Sequence, residues 1–261
     1  CSQSRGLGDV YKRQFLTYGK KHKIIVRVDD DAGDPNKFSR GHALYGKQGY
    51  GNARGIWQTV YLEARGSNYF DAIHFTPDID NKSVNVKFYF QDKMKTNSSV
   101  KLNIKTDKGV INKKFTIRKG QLSSSFNVSI PDMRLWSLDD PFLYKVEASL
   151  DDDQVESYFG MRKVSVVNLP DSEFPYVALN NKPIYLQFAL DQSYHQDGFY
   201  TFPTDQFMKE EIIRSKSIGL NGIRIHIKTE IPRKLYWADK LGLLVVEDLP
   251  NSWGEPNKLM K

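Results

Sequence analysis

The strongest constraint on this chain is a join that it uses twice. Ile218-Gly219-Leu220 closes one helical stretch ahead of Gly222-Ile223-Arg224-Ile225, and Leu241-Gly242-Leu243 closes a second, leading into Leu244-Val245-Val246. The two glycines lie 23 residues apart, room for one strand, one helix and short connections. Strands joined through a helix in so little chain run parallel, with right-handed crossovers. Two such units do not separate a barrel from a doubly wound sheet.

The local signals around the join agree with it. Thr204 is placed to cap a helix with Asp205 in its first turn, where a negative charge suits the helix dipole. Met208, Ile212 and Ser215 form its stripe, with Ile213 beside it, and Gly219 is the expected C-cap. A second helix starts near Ile231 with Pro232 in its first turn and an apolar face of Leu235, Ala238 and Leu241, ending at Gly242. Ahead of these units, a hairpin through Asn180-Asn181-Lys182-Pro183 leads into a strand at Ile184-Tyr185-Leu186-Gln187-Phe188.

Before Leu169-Pro170 the pattern is different. Val84, Val86, Phe88 and Phe90 alternate with polar residues, and Val100-Lys101-Leu102-Asn103-Ile104 repeats the period. Asp107-Lys108-Gly109 turns into Val110–Ile117 as a hairpin, and strands follow at Phe126–Ile130, Leu143–Ala148 and Ser157–Val167. Short strands without intervening helices predict a β-sandwich over Asn68–Asn168. Further upstream, Lys23–Val28 and Trp57–Glu63 read as strands, with Trp57 and Tyr61 expected in core or interdomain packing. Residues 1–14 show neither period; Ser4–Gln14 resembles translated sequencing-adapter sequence, and we read this stretch as a non-native leader. That leaves the absence of a signal peptide uninformative.

Composition narrows the function classes. The net charge is +7, from 38 basic and 31 acidic residues, but the lysines are interleaved with acids. Nucleic-acid binding concentrates charge on one element, so no nucleic-acid partner is expected. No apolar run approaches the ~18 residues of a membrane span. Cys1 is the single cysteine, which excludes an internal disulfide or a thiolate zinc site. Ser–His–Asp, phosphate-loop and HExxH patterns are absent.

In parallel α/β domains, ligands meet the C-terminal ends of the strands. Asp191, Gln192, Tyr194 and His195 follow the first such strand; Arg224, His226, Lys228 and Glu230 belong to the second, and Glu247, Asp248 and Trp253 to the third. Carboxylates and arginine hydrogen-bond hydroxyls, and an aromatic ring covers a sugar face, so this rim suits a polyhydroxylated ligand. Each residue also has a structural reading. Asp191 is a turn cap, Arg224 pairs with Glu247 or Asp248, His226 is a hydrogen-bonded structural histidine and Trp253 is packing. Lys228 and Glu230 read as solvated charges at a helix start.

Three sets of segments resemble one family in order. Gly46-Lys47-Gln48 with Gly55–Glu63 is similar to the end of the jelly-roll sugar-binding domain of glycoside hydrolase family 2, the β-galactosidase family. Pro141-Phe142-Leu143-Tyr144 with Phe159-Gly160-Met161-Arg162 resembles the last strands of its immunoglobulin-like domain. Leu190-Asp191-Gln192-Ser193-Tyr194, Asn221–His226 and Asp239–Val245 resemble the opening of its (β/α)8 barrel. The resemblance implies a multidomain β plus α/β chain. Residues 15–66 become the C-terminal part of the jelly-roll, 67–168 the immunoglobulin-like β-sandwich, and 169–261 the first βα units of a truncated TIM barrel.

It further implies retaining hydrolysis of a terminal β-glycosidic bond, with a sugar substrate and no cofactor. Asp191, Gln192, Tyr194, Arg224, His226, Asp248 and Trp253 become substrate-binding residues. Family members carry the acid/base in an Asn-Glu motif after strand four and the nucleophilic Glu later, so neither falls within this chain and Glu247 and Asp248 receive no catalytic role. Asn251-Ser252-Trp253-Gly254 does not match the metal ligands that some β-galactosidases carry there, so no metal is expected. The resemblance favours a periplasmic or secreted location and leaves the sugar and the oligomeric state open. The competing reading is a non-catalytic carbohydrate-binding or adhesion protein built of β-sandwiches, which has no need of paired βα units. The expected outcome is that the purified 261-residue chain hydrolyses no chromogenic glycoside; measurable release of chromophore by that chain alone would overturn it.

Overall fold

In a computed structural model of the chain, the described residues are 17, 19–23, 25–26, 56, 58–61, 63, 65–226 and 228–248. The expected strands at Lys23–Val28 and Trp57–Glu63 fall partly outside them. Their described residues, including Ile25, Val26 and Gln58–Tyr61, lie outside any strand. Tyr61 is 67% exposed rather than packed. Trp57 and most of residues 15–66 lie outside the described residues.

Seven strands build two sheets around one core. They are β1 (Phe70–Asp78), β2 (Ser83–Phe90), β3 (Ser98–Lys105), β4 (Val110–Ile117), β5 (Ser123–Ser129), β6 (Tyr144–Leu150) and β7 (Asp153–Phe159). One sheet has the order β1-β2-β5 and the other β4-β3-β6-β7, with every pairing antiparallel. The alternation in β2 buries Val84, Val86, Phe88 and Phe90, while β3 contributes Val100, Leu102 and Ile104 and β6 contributes Tyr144, Val146, Ala148 and Leu150. Each of the buried Val, Leu, Ile and Phe side chains among them stabilises the fold by about 1.5–3 kcal/mol relative to exposure. β1 was not legible in the sequence: a register shift between Phe70 and Ala72 breaks its period. Its Pro77 is tolerated because β1 is an edge strand.

The expected single strand over Ser157–Val167 is two. β7 ends at Phe159, and β8 (Val164–Asn168) begins a separate sheet with β9 (Pro175–Leu179) and β10 (Lys182–Pro183), in the order β10-β9-β8. Asn180 and Asn181 take positive φ angles of 53° and 65° at the β9–β10 turn, a conformation asparagine tolerates. The strand expected at Ile184–Phe188 instead runs from Phe188 as β11 (Phe188–Asp191), so Asp191 closes the strand rather than following it.

The parallel sheet is as expected. α1 (Asp205–Ser217), β12 (Gly222–Ile225), α2 (Pro232–Leu241) and β13 (Leu244–Glu247) follow β11, and β11-β12-β13 pair in parallel. Thr204 Oγ1 accepts from Phe207 N at 3.0 Å, capping α1. Ile212 of α1 and Ala238 of α2 pack with Ile223, Ile225 and Leu243 into a second core. None of the helices among the described residues is long and apolar enough to cross a membrane.

The two parts meet at Trp136, which is fully buried. Its Nε1 donates to Asp239 O of α2 at 2.6 Å, and the Arg162 guanidinium lies 4.6 Å over its ring. Arg162 also donates to Asp239 Oδ1 at 2.6 Å, and Tyr158 Oη donates to Asp239 Oδ2 at 3.1 Å. Burial first, then the Asp239 charge, push the Tyr158 phenol well above the ordinary tyrosine range. At the C-terminus of α2, just beyond Asp239, Lys216 Nζ donates to Leu241 O at 2.7 Å, Gly242 O at 3.0 Å and Leu138 O at 2.6 Å. A cation there complements the negative end of the helix and ties it to the sandwich.

Gly219 and Gly242 both have positive φ, 92° and 79°. A Cβ on Gly219 would meet nothing within 4 Å, whereas one on Gly242 would lie 2.3 Å from Leu138 O. Gly219→Ala should therefore cost about 1–2 kcal/mol, the left-handed penalty. Gly242→Ala should add a further ~1–3 kcal/mol of overpacking. Urea unfolding of the two variants checks this; equal losses would mean that α2 does not abut the sandwich.

Candidate functional site

Strand register sorts the rim into two faces. Leu190, Arg224 and Val246 are paired neighbours across β11, β12 and β13 and share one face. Leu190 is 52% and Val246 46% exposed. Asp191, Ile225 and Glu247 are likewise in register, on the face that packs against the helices. Asp191 and Arg224 therefore project from opposite faces of the sheet. The rim is composed of a buried half and an open half.

On the open half, Arg224 forms a two-pronged pair with Asp248. Nε donates to Oδ1 at 3.1 Å and an NH2 group to Oδ2 at 2.8 Å. The Arg224 side chain is 52% exposed and that of Asp248 22%. Of the two partners considered from sequence, Asp248 is the one it pairs with. Glu247 Oε1 instead accepts from the backbone N of Glu230. His226 begins the loop after β12; its backbone N donates to Asp191 O at 2.9 Å, and its Nδ1 is buried without a hydrogen-bond partner among the described residues.

The buried half is a charge cluster that sequence reasoning missed. Lys228 and Glu230, expected to be solvated, are 4% and 2% exposed. Lys228 Nζ lies 3.0 Å from Glu230 Oε1 and donates to Ser193 O at 3.1 Å. Lys234, in the first turn of α2, is 1% exposed. Its Nζ lies 2.5 Å from Asp191 Oδ2, 3.3 Å from Glu211 Oε2 of α1 and 3.9 Å from Glu230 Oε2, and donates to Ser193 Oγ at 3.1 Å. The Phe202 ring lies 4.8 Å from the same ammonium. Two cations thus face three carboxylates in a water-poor space. One available signal pointed there: Lys234 lies four residues before Ala238 and seven before Leu241, on the apolar stripe of α2.

The electrostatics follow from burial and pairing. Burial on its own lowers the Lys234 ammonium's pKa, but Asp191, then Glu211, more than offset it and hold the group above the ordinary lysine range. For Lys228, burial outweighs the pull of Glu230 and the pKa falls. Burial raises the Glu211 carboxyl despite Lys234. Burial, then Lys234 and Lys228, lower that of His195, which keeps the imidazole neutral near pH 7.

Ser193 sits at the centre. It is 4% exposed and takes a positive φ of 49°, a strained conformation for a residue with a Cβ. Its N donates to Asp191 Oδ1 at 2.7 Å, and its Oγ donates to Glu230 Oε2. Asp191 therefore does cap a turn, and also pairs with Lys234. On either side of Ser193 the loop presents Gln192, whose Oε1 is buried without a hydrogen-bond partner among the described residues, and Tyr194, packed edge-on against Phe199 at 5.5 Å. The structure thus brings Asp191, Gln192, Tyr194 and His226 to one neighbourhood and sets Arg224 with Asp248 on the open face. Trp253 and Asn251–Gly254 lie outside the described residues. Among the described residues, no group of three or more His, Cys, Asp or Glu is placed to hold a metal ion.

Residues 68–162 match the family model of glycosyl hydrolases family 2. The chain is 27% identical over 245 residues to a β-galactosidase of Thermoanaerobacterium thermosulfurigenes, covering 90% of this chain and 29% of that enzyme. It is 23% identical over 212 residues to a β-galactosidase of Pseudoalteromonas haloplanktis, covering 74% of this chain and 20% of that enzyme. The chain thus spans less than a third of the length of either relative. Among solved structures, a family 2 β-galacturonidase from Eisenbergiella tayi, bound to galacturonate, shares the fold with a TM-score of 0.67 at 22% identity, over 82% of this chain and 38% of that one. A β-glucuronidase from Bacteroides uniformis gives 0.65 at 21% identity, over 83% and 28%.

One exposed pair fixes how the helices that carry Glu211 and Lys234 meet. Arg233 donates to Asp205, through Nε at 2.5 Å and an NH2 group at 2.9 Å, and Trp237 Nε1 donates to the same carboxylate at 2.9 Å. Arg233, then Trp237, hold the Asp205 carboxyl down to about 2. Because the folded pKa is depressed, the stabilisation is present above the unfolded value of ~3.9 and is lost as pH falls through about 2. A carbon-detected NMR titration should find Asp205 near that value, and Arg233→Gln should raise it toward ~3.9; an unmoved midpoint would rule out the clamp.

Proposed function

We propose that this chain, which belongs to family 2 of the glycosyl hydrolases, is part of a retaining exo-glycosidase that cleaves terminal β-glycosidic bonds in the manner of a β-galactosidase. The observation that carries the reading is the rim itself. An exposed Arg224–Asp248 fork and a buried carboxylate cluster flank the same strand ends, in a chain whose sandwich matches that family. In this reading residues 67–168 are the immunoglobulin-like domain. The orders β1-β2-β5 and β4-β3-β6-β7 support it, being a seven-strand sandwich of the expected kind. Residues 169–261 are the opening of a (β/α)8 barrel, supported by the parallel β11-β12-β13 sheet and its helices. Residues 15–66 end the jelly-roll, and residues 1–14 are foreign to the fold.

Retaining hydrolysis needs one carboxylic acid to protonate the leaving oxygen and one carboxylate to form the glycosyl-enzyme, about 5–5.5 Å apart. The carboxylates of this rim are poor candidates for either part. Asp191 is bound by Lys234, Asp248 by Arg224, and Glu230 by Lys228. Each is engaged with a cation that fixes its orientation, which suits a group that holds a ligand better than one that must exchange a proton or attack the sugar. In this reading Asp191 and Asp248 bind and orient the sugar, together with Gln192, Tyr194, Arg224, His226 and Trp253, while the buried Glu230 supports the cluster behind them. The acid/base and the nucleophile then belong to other parts of the whole protein.

The test is the whole protein assayed on aryl β-glycosides of galactose, glucuronic acid, galacturonic acid and mannose, with the first-formed anomer followed by NMR. Retention on at least one is expected, and inversion or no turnover on all four would sink the reading. Arg224→Gln removes one charged hydrogen-bonding group and should lower kcat/KM about 10–150-fold, the equivalent of ~1.5–3 kcal/mol.

A further inference from the structure

We infer that Lys234 is a positioning residue for sugar binding, fixing the Asp191 carboxylate and the strained Ser193 turn so that the loop after β11 holds Gln192 and Tyr194 in place. The inference rests on the glycosidase reading above. Three physical terms oppose an ammonium at this position. It is 1% exposed, so it loses its hydration. It lies in the first turn of α2, where the helix dipole repels a cation. It also gives up a long side chain's rotamer freedom. The favourable terms come from groups it gathers from separate elements: Asp191 of β11, Glu211 of α1, and Glu230 and Ser193 of the connecting loops.

Asp191 is where this cluster reaches the rim. Its side chain keeps 22% exposure while Lys234 and Glu230 are closed off. One oxygen accepts from Ser193 N and the other from Lys234 Nζ, so both its rotation and the Ser193 φ of 49° are set from behind. Ser193 cannot relax without breaking its bonds to Asp191, Glu230 and Lys234 together. A residue that served stability alone would not need to meet the rim carboxylate and the strained turn beside it with the same ammonium.

The charge balance sharpens the expectation. Facing Lys234 are Asp191, Glu211 and Glu230, with Lys228, neutral His195 and, behind Glu230, Glu247 completing the surroundings. Without Lys234, three carboxylates face Lys228 alone, and the Asp191 carboxylate loses the contact that fixes it.

The experiment is a double-mutant cycle in the full-length enzyme, combining Lys234→Met with Asp191→Asn, on the best of the aryl glycosides. Lys234→Met should lower kcat/KM about 10–100-fold, mainly through KM with kcat little changed. In the Asp191→Asn background the same change should cost less than about threefold. Lys234→Met with Glu211→Gln keeps the wild-type charge balance, so it stands in if the single variant fails to fold, and it should show the same loss. Multiplicative losses in the cycle, or activity within about twofold of wild type in either Lys234 variant, would overturn the inference. A wild-type protein inactive on every glycoside would instead overturn the functional reading on which it rests.

Discussion

The α/β part of this chain is organised around one fully buried ammonium. Lys234 has almost no exposure, and stripping such a group of water costs several kcal/mol before any partner is counted. The cost is offset only if carboxylates arrive from several directions at once. Asp191 comes from the end of β11, Glu211 from α1 and Glu230 from the loop before α2. The positions of three elements are thereby coupled to a single nitrogen. Breaking any one contact leaves an uncompensated charge, which is worse than never having had the pair.

The sandwich contributes by holding α2 from the outside. Asp239 accepts from Arg162 and Tyr158, its carbonyl accepts from the buried Trp136, and Lys216 ties the last carbonyls of α2 to Leu138. One face of the helix therefore meets the sandwich while another carries Lys234 into the cluster. The motif Phe159-Gly160-Met161-Arg162 acquires a separate reason at each position. Phe159 stacks on Tyr144 at 5.0 Å, and the Gly160 Cα faces the Trp136 side chain, where an added Cβ would come to 3.2 Å from its Cβ and 3.3 Å from its ring. Met161 bridges to Leu135, and Arg162 reaches Asp239 across the indole.

Local features were legible in the sequence, and long-range charge was not. The period of β2, the Thr204 cap and the glycines after α1 and α2 are all set within a few residues, and each is found as read. The cluster's links to β11 and the loop after it span 37 to 43 residues in Ser193 with Glu230 and Asp191 with Lys234. Lys228 and Glu230 pair with each other within two residues, but the distant groups that bury them, such as Ser193, are not announced nearby, so the ordinary expectation of solvated charge failed. The same is true of Arg162, whose partner Asp239 is 77 residues away. Lys234 on the apolar stripe of α2 was the exception, a polar residue breaking a pattern that otherwise predicts burial.

The two faces of the parallel sheet explain why the rim can be both rigid and receptive. In the proposed sugar-binding role, a pocket for hydroxyls would need charged groups that stay put when no ligand is present, yet keep part of their surface free. The helix-side face supplies the first property, because its carboxylates are locked by cations that water cannot reach. The open face supplies the second, since the Arg224 guanidinium is held by Asp248 in a fixed plane while half of it remains exposed. Asp191 and His226 lie where the faces meet, joined by the backbone bond from His226 N to Asp191 O. A disturbance of the buried cluster is therefore transmitted through Asp191 to the loop after β11 and through its carbonyl to the loop after β12, so the charge behind the sheet sets the geometry in front of it.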